Sequence, residues 1–246
     1  MSDLEPIQGE PAAVADLHSE RALVVADYHA GIERTYRREG IEVTSRAEAR
    51  REALLSLVES RPIDRVVFLG DLGTHIGQPE SEELEELQDL DRDLPVPATL
   101  VPGNHDGLLG DVLDIDVVDS AGVSIGDIGF AHGHRWPGTE PLSASILAVG
   151  HEHPCVRLED TVGGSRIERV WLRGTLDPAP FEDHVGTPIP DPPSEIVVFP
   201  AFNDLTGGTW VNVEDQDFLS PFLPEAAPDA EAYLVDGTRL GPIDQI

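Results

Sequence analysis

Five short apolar runs in this chain each stop at residues that bind metals or move protons, and that pattern limits the possible folds most. "ALVVADYH" (22–29) ends at Asp27 and His29, "RVVFLGD" (65–71) at Asp71, and "PVPATLVPGNHD" (95–106) at Asn104, His105 and Asp106. "IGFAHGH" (128–134) ends at His132 and His134, and "ILAVGHEH" (146–153) at His151 and His153. Short apolar runs bounded by Gly or Pro read as buried strands. Polar groups just past such strands sit where open α/β sheets build their sites, at the carboxyl ends.

Two helix patterns separate the first three runs. "TSRAEARREALLSLVESR" (44–61) carries an apolar stripe of Leu54, Leu57 and Val58, with Thr44 or Ser45 available as a cap. "PESEELEELQDLDRD" (79–93) is an acidic helix. Strand alternating with helix predicts an α/β arrangement in the first half. The second half offers short strand candidates at 123–134, 146–153, 155–160, 166–174, 195–202 and 207–215, interrupted by a Pro-rich loop at 177–195. Repeats and domain linkers are absent from the sequence. The expectation is one domain over 1–246, with a core over about 18–213 and a peripheral tail over about 214–246.

Composition narrows the setting. There are 47 acidic residues against 16 basic ones, a net charge of −31, and every basic residue is Arg. The acids are spread along the whole chain, which argues against a single acidic face for a basic partner. A hydrophobic content of 40% still supports a globular core. Self-repulsion of this size is relieved by salt, so the surface reads as adapted to a salt-rich cytoplasm, as in a halophile. One cysteine, Cys155, excludes an intrachain disulfide. The start, "MSDLEPIQGEP", is polar and acidic, and no run approaches the ~20 apolar residues of a membrane span. A soluble, cytoplasmic protein is expected.

The polar run-ends share one chemistry. In "DYH" and "HEH" alternate residues of an extended segment face the same side, so both can address one centre. Imidazole, carboxylate and amide together suit Mn, Fe, Zn, Co or Ni, and the absence of thiolate argues against a structural zinc cluster. Each piece alone has a plainer reading. Asn104-His105-Asp106 could be an Asx-type turn, and a single Asp-x-His is commonly a surface feature. Five such groups at strand ends favour a metal site.

As a series, Asp27-x-His29, Gly70-Asp71, Gly103-Asn104-His105-Asp106, His132 and Gly150-His151-x-His153 resembles the calcineurin-like metallophosphoesterase superfamily. "ADYHAGIE" and "VVFPAFNDLTGGTWVN" are similar, more narrowly, to archaeal phosphoesterases related to SbcD-type repair nucleases. The resemblance implies two facing mixed β-sheets flanked by helices, and two divalent ions, with Mn foremost. Asp27, His29 and His153 would hold the first ion, Asn104, His132 and His151 the second, and Asp71 would bridge them. Such a pair holds a phosphate ester and acidifies the attacking water. His105 is then the candidate general acid for the leaving group. Asp106 either orients His105 or completes the turn.

The implied activity is phosphodiester hydrolysis, with DNA or a nucleotide among the substrates. The alternatives are a small-molecule phosphodiesterase or phosphomonoesterase, or a non-catalytic interaction module. The last is disfavoured, because every presumptive ligand and His105 are present. One departure stands out: in "GDLGTHIG" Thr74 occupies the place where the family usually has Asp or His, and His75 follows one later. His75 either helps at the site or is a surface residue, and His134 either supports the ligands or faces the substrate. His18 and His184 lie in polar contexts and read as solvated, and Cys155 reads as core. Six arginines between Arg34 and Arg51 offer either a phosphate-binding patch or a solvated helix face, and the acidic surroundings favour the latter.

The charge reading makes a direct prediction. Screening reaches ~3 Å near 1 M salt and ~10 Å near 0.1 M, so unfolding midpoints should rise with KCl. A midpoint that stays flat or falls between low and molar KCl contradicts the salt-adapted surface.

Overall fold

In the computed structural model of the chain, which describes residues 3–79, 81–159, 162–213 and 216–246, the apolar runs become strands that stop just short of their polar ends. The first sheet holds β1 (Leu4–Pro6), β2 (Ala12–Asp16), β3 (Arg21–Ala26), β4 (Arg65–Leu69), β5 (Ala98–Leu100) and β6 (Asp116–Val117), in that order. Pairing is antiparallel among β1, β2 and β3 and parallel from β3 to β6. Helices α1 (Ile32–Arg38), α2 (Ala47–Glu59) and α3 (Ser81–Asp93) fall between its parallel strands.

The second sheet contains β7 (Val123–Ile125), β8 (Ile128–Ala131), β9 (Ile146–Val149), β10 (Cys155–Glu159), β11 (Ser165–Thr175), β12 (Glu195–Val198), β13 (Glu231–Leu234) and β14 (Arg239–Pro242). Its order is β14-β13-β11-β12-β9-β8-β7, with β10 paired to β11. Pairing is parallel across β8, β9 and β12 and antiparallel elsewhere. A short helix, α4 (Ala179–Val185), lies within the Pro-rich loop. The architecture is the expected one: two mixed sheets flanked by helices. No helix among the described residues is long and apolar enough to cross a membrane.

Burial on both faces explains why the central strands read as unbroken apolar runs. Leu23 and Val25 of β3 and Val66 and Phe68 of β4 face the helices, where Leu54, Leu57 and Val58 of α2 join them. Their alternates, Val24, Ala26, Val67 and Leu69, meet Phe130, Ala148, Val197 and Phe199 between the sheets. A third layer, including Leu147, Val149, Ile196, Val198 and Phe181, covers the far face of the second sheet.

Several local expectations need correction. Arg46, not Thr44 or Ser45, holds the N-cap position of α2 with no side-chain cap bond, while Ser45 Oγ, one residue earlier, accepts the Ala47 amide at 3.4 Å. The Arg46 amide donates to Glu33 of α1 at 2.8 Å. The segment 207–213 forms no strand, only a single bridge between Trp210 and Cys155, and the rest of that expected strand lies outside the described residues. The last residues are not a peripheral tail. β13 pairs with β11 and β14 with β13, and Phe222, Leu223, Ala226 and Ala227 pack into the third layer. Scattered Ala and Phe residues carry this burial, and they leave no period to read.

The arginine cluster proves to be a bracket between helices. Arg50, 7% exposed, forks between Glu33 of α1 (3.3 Å) and Glu86 of α3 (2.9 Å). Arg51 pairs with Asp89 and Asp93 of α3, Arg37 with Glu82, and Arg46 with Asp204. Burial raises the Glu86 carboxyl, whereas at Glu33 burial is outweighed by the Arg50 charge together with the hydrogen bonds from Arg46 and Arg50, which hold it low. The bracket touches the first polar run-end, since the Gly31 amide donates to Glu86 and the Arg50 guanidinium lies over the Tyr28 ring.

Removing one member of a buried ion cluster strands its partners, at about 3–5 kcal/mol. Arg50→Met keeps most of the volume and should destabilise the protein by that order at neutral pH. Without the cation, burial holds both carboxyls above their unfolded pKa values. The loss is therefore present at neutral pH and shrinks as acid protonates Glu33 and Glu86. Thermal melts across pH check this. A variant as stable as the parent at pH 7 contradicts the bracket.

Candidate metal centre

Every expected ligand group falls at the same edge, where strands of both sheets end. There Ala26 of the first sheet bridges to Ala201, just past β12 of the second. The chain must turn sharply at this edge. Asp27, His29, Asp71, His151 and His153 all have φ between +45° and +67°. Left-handed backbone costs an ordinary residue roughly 1–2 kcal/mol, and such strain persists where surrounding bonds fix it. Gly103 meets the same crowding: a Cβ there would run into the Asp71 carboxylate.

Two groups of side chains could each hold an ion, with ligand atoms within 4.8 Å of one another: Asp27, His29 and His153, and Asp71, His132 and His151. The imidazoles form two rows. His105, His29 and His153 have successive ring centroids 5.7 and 5.2 Å apart, while His134, His132 and His151 have theirs 5.3 and 5.0 Å apart. Asp71 lies between the rows. Its Oδ2 is 3.9 Å from His29 Nε2, 3.9 Å from His105 Nε2 and 3.5 Å from His132 Nε2. Asp27 Oδ1 is 3.1 Å from His153 Nε2.

Backbone acceptors aim the rings. His132 Nδ1 donates to the Leu69 carbonyl at 2.7 Å and His153 Nδ1 to that of Gly207 at 2.9 Å, turning both Nε2 atoms inward. His132 Nε2 and His29 Nδ1 are buried without a hydrogen-bond partner. Burial alone would raise Asp27 and Asp71, yet histidines hold both carboxyls below their usual range: His153 and His132 at Asp27, and chiefly His132 at Asp71. Burial alone would lower His132, yet Asp71 and Asp27 push it up to about 9. Burial brings His29 and His151 down to about 4. Two buried carboxylates ringed by imidazoles therefore attract positive charge. Protons on His132 and His153 answer that demand weakly, and divalent cations would answer it strongly. The donor set fits borderline divalent ions.

Asn104 is exposed on the loop between Gly103 and His105. His105 donates its backbone N–H to Asp71 Oδ1 at 3.0 Å, and its side chain is 26% exposed at the rim of the cluster. The Asp106 carboxylate, 3% exposed, accepts the Gly73 amide at 3.1 Å and the Gly103 amide at 2.8 Å, tying two candidate ligand loops together. Burial, helped by the Asp71 charge, pushes its pKa up to about 6. Of the two readings of Asp106, the turn is the one with contacts.

His134 joins the second row, with Nδ1 buried and unpartnered. His75 is engaged by the helix bracket: Nδ1 donates to Glu83 at 2.8 Å, and Nε2 accepts from Arg38 at 3.0 Å. Glu83 also takes the Thr74 amide at 2.6 Å, and Thr74 Oγ1 donates to Ala30 O at 2.7 Å. Thr74 thus has a structural task where the family pattern usually has Asp or His. His18 pairs with Asp127 in solvent, His184 stacks on Trp136, and Cys155 is buried.

Two buried polar residues at this edge escaped sequence reasoning. Asn203, 1% exposed, donates to the carbonyls of Tyr28 and His29. Glu152, fully buried between two histidines, accepts from Thr209 and from the Leu219 and Ser220 amides. Both act on backbone far away in sequence. Only the placement of Glu152 between two histidines hinted at a role.

Comparison with known proteins bears on the fold and the family. Nuclease MPE from Pseudomonas putida superimposes over 96% of this chain and 100% of its own, with a TM-score of 0.58 at 22% identity. A Streptococcus pneumoniae protein described as a predicted phosphoesterase aligns over 89% of this chain and 92% of its own, with a TM-score of 0.31 at 12% identity. No curated protein sequence matches the chain significantly. Residues 12–146 match the model of the calcineurin-like phosphoesterases. With more than half its length in that match and the described edge carrying the ligand groups, the chain belongs to the calcineurin-like phosphoesterases, hydrolases of phosphoric ester bonds.

Proposed function

We propose that this chain is a two-metal phosphodiesterase, with a nucleic acid or nucleotide as substrate. The observation that carries the reading is Asp71 Oδ2, set between His29 of one candidate ion group and His132 of the other. In this reading Asp27, His29 and His153 hold the first ion, Asn104, His132 and His151 the second, and Asp71 touches both. Two divalent cations so placed, with manganese the preferred metal, would hold the ester phosphate and acidify a water for in-line attack.

The chain's own groups supply the rest. His105, at the rim and within reach of Asp71, is placed to give a proton from its imidazole to the leaving oxygen. Asp106 keeps His105 on its loop by fixing Gly103 and Gly73. The nuclease name of the Pseudomonas putida protein supports a nucleic-acid substrate. Four arginines of the 34–51 stretch are committed to acids, which favours recognition through the metal edge over a basic groove and keeps a small diester as the second reading. Metal-loaded protein in molar KCl, assayed on a chromogenic diester, a chromogenic monoester, and single- and double-stranded DNA, tests the substrate class. Faster turnover of the monoester than of any diester contradicts the proposal.

The role of His105 has its own test. His105→Ala should keep its metal content and lose about 10²–10⁴-fold in kcat on an alkyl or nucleotide diester. The deficit should shrink on a nitrophenyl ester, whose leaving group needs little protonation. Equal losses on both would assign His105 to phosphate positioning, and a missing ion would make it a ligand.

A further inference from the structure

The family match ends at residue 146, yet the first candidate ion group rests on chain well beyond it. After β12 the segment from Ala201 to Thr209 crosses the ligand edge as a strap. Phe202 N donates to Ala26 O at 2.8 Å, and Asn203 N to Asp27 O at 3.3 Å. Asn203 Nδ2 then donates to Tyr28 O at 2.9 Å and His29 O at 3.1 Å, while its Oδ1 accepts the Leu205 amide at 3.0 Å. Further on, Gly207 O takes the Nδ1 proton of His153. Gly208 lies so close to the His153 carbonyl that a Cβ would overlap it. Thr209 closes the strap, its amide donating to Glu152 O at 3.2 Å.

Asp27, His29 and His153 come from segments more than a hundred residues apart, and all three have left-handed backbone. The strap holds the carbonyls of the first two, whose amides rest on Gly70 O and Asp71 O, and the ring of the third. The second group is held differently. His132 is aimed by the Leu69 carbonyl, Asp71 by the His105 amide, and the His151 amide donates to Asp27 at 3.0 Å. Among the described residues, no hydrogen bond joins the strap to Asp71, His132 or His151.

We propose that the Ala201–Thr209 strap, through Asn203 and the Gly207 carbonyl, is the positioning element of the first ion group, so that this group can be weakened while the second stays intact. The inference rests on the two-metal reading. Asn203 is a positioning residue: it touches neither ion nor substrate, and acts by holding two carbonyls of the strained Asp27–His29 turn. Asn203→Asp is nearly isosteric, keeps the acceptor for Leu205, and turns an oxygen toward the two carbonyls it formerly bonded. Loss of outer-shell support typically weakens metal binding about 10–100-fold.

Metal-free full-length protein is titrated with Mn²⁺ in molar KCl, following heat and the electron paramagnetic resonance spectrum. The parent should take two ions and show the signal of a coupled pair. Folded Asn203→Asp should take one ion with the parent's affinity and bind the other 10–100-fold more weakly, showing the six-line signal of isolated Mn²⁺ at one equivalent. If Asn203→Asp fails to fold, Asn203→Ser withdraws the same donors without adding charge and takes its place. Two ions bound as in the parent, or both weakened equally, overturn the proposal. A parent that takes only one ion overturns the two-metal reading instead. Imidazole nitrogen spectra of metal-free protein then decide the strap: the His153 signals should change in the variant while those of His132 do not, and unchanged His153 signals overturn it.

Discussion

The arrangement depends on one carboxylate held in an unfavourable backbone conformation. Asp71 follows a central parallel strand, β4, with φ +46°, and imidazoles from both candidate ion groups converge on its Oδ2. A buried carboxylate in that place is costly without partners. Its partners come from both sheets: His29 follows β3 of the first, and His132 follows β8 of the second. The sandwich thus brings a histidine from each sheet edge to within 3.9 Å of one side chain. The absent Cβ at Gly103 and the Asp106 carboxylate, shared between the Gly73 and Gly103 amides, serve the same close approach.

Each strained ligand loop is secured by a buried polar side chain from elsewhere. Asn203 holds the 27–29 turn, Asp106 ties the loops after β4 and β5, and Glu152 fastens the 151–153 turn to Thr209, Leu219 and Ser220. Behind the first of these, the Arg50–Glu33–Glu86 bracket fixes the start of α1. Charge is thus used in opposite ways in the two environments. On the surface, the excess of acid is a matter for solvent and salt. Inside, nearly every buried carboxylate has a counted set of donors, because an unpaired one would be far more costly there than outside.

The candidate metal edge was legible in the sequence because the strand-end groups are local: Asp27-x-His29 and His151-x-His153 carry their own spacing, and unbroken apolar runs mark the strands before them. The two-sheet architecture came with the resemblance those motifs carry. What escaped was non-local. Asn203 and Glu152 act through carbonyls and amides 67 to 175 residues away, and no spacing encodes such contacts. The β13–β14 hairpin was missed because two short, half-exposed strands lack an apolar period. The helix arginines read as solvated because a buried cross-helix ion cluster and an exposed i,i+4 pair look alike in one dimension. Asp106 was ambiguous for a related reason: a carboxylate following a histidine may serve its neighbour or the turn, and only the Gly73 and Gly103 amides distinguish them.

Whether two cations share Asp71 is decided by anomalous diffraction from crystals of the manganese-loaded protein, collected above and below the Mn edge. Two peaks ~3.5–4 Å apart are expected, one bounded by Asp27, His29 and His153, the other by Asn104, His132 and His151, with the Asp71 carboxylate reaching both. A single peak in that edge, or two peaks of which only one lies within bonding distance of Asp71, would contradict that sharing.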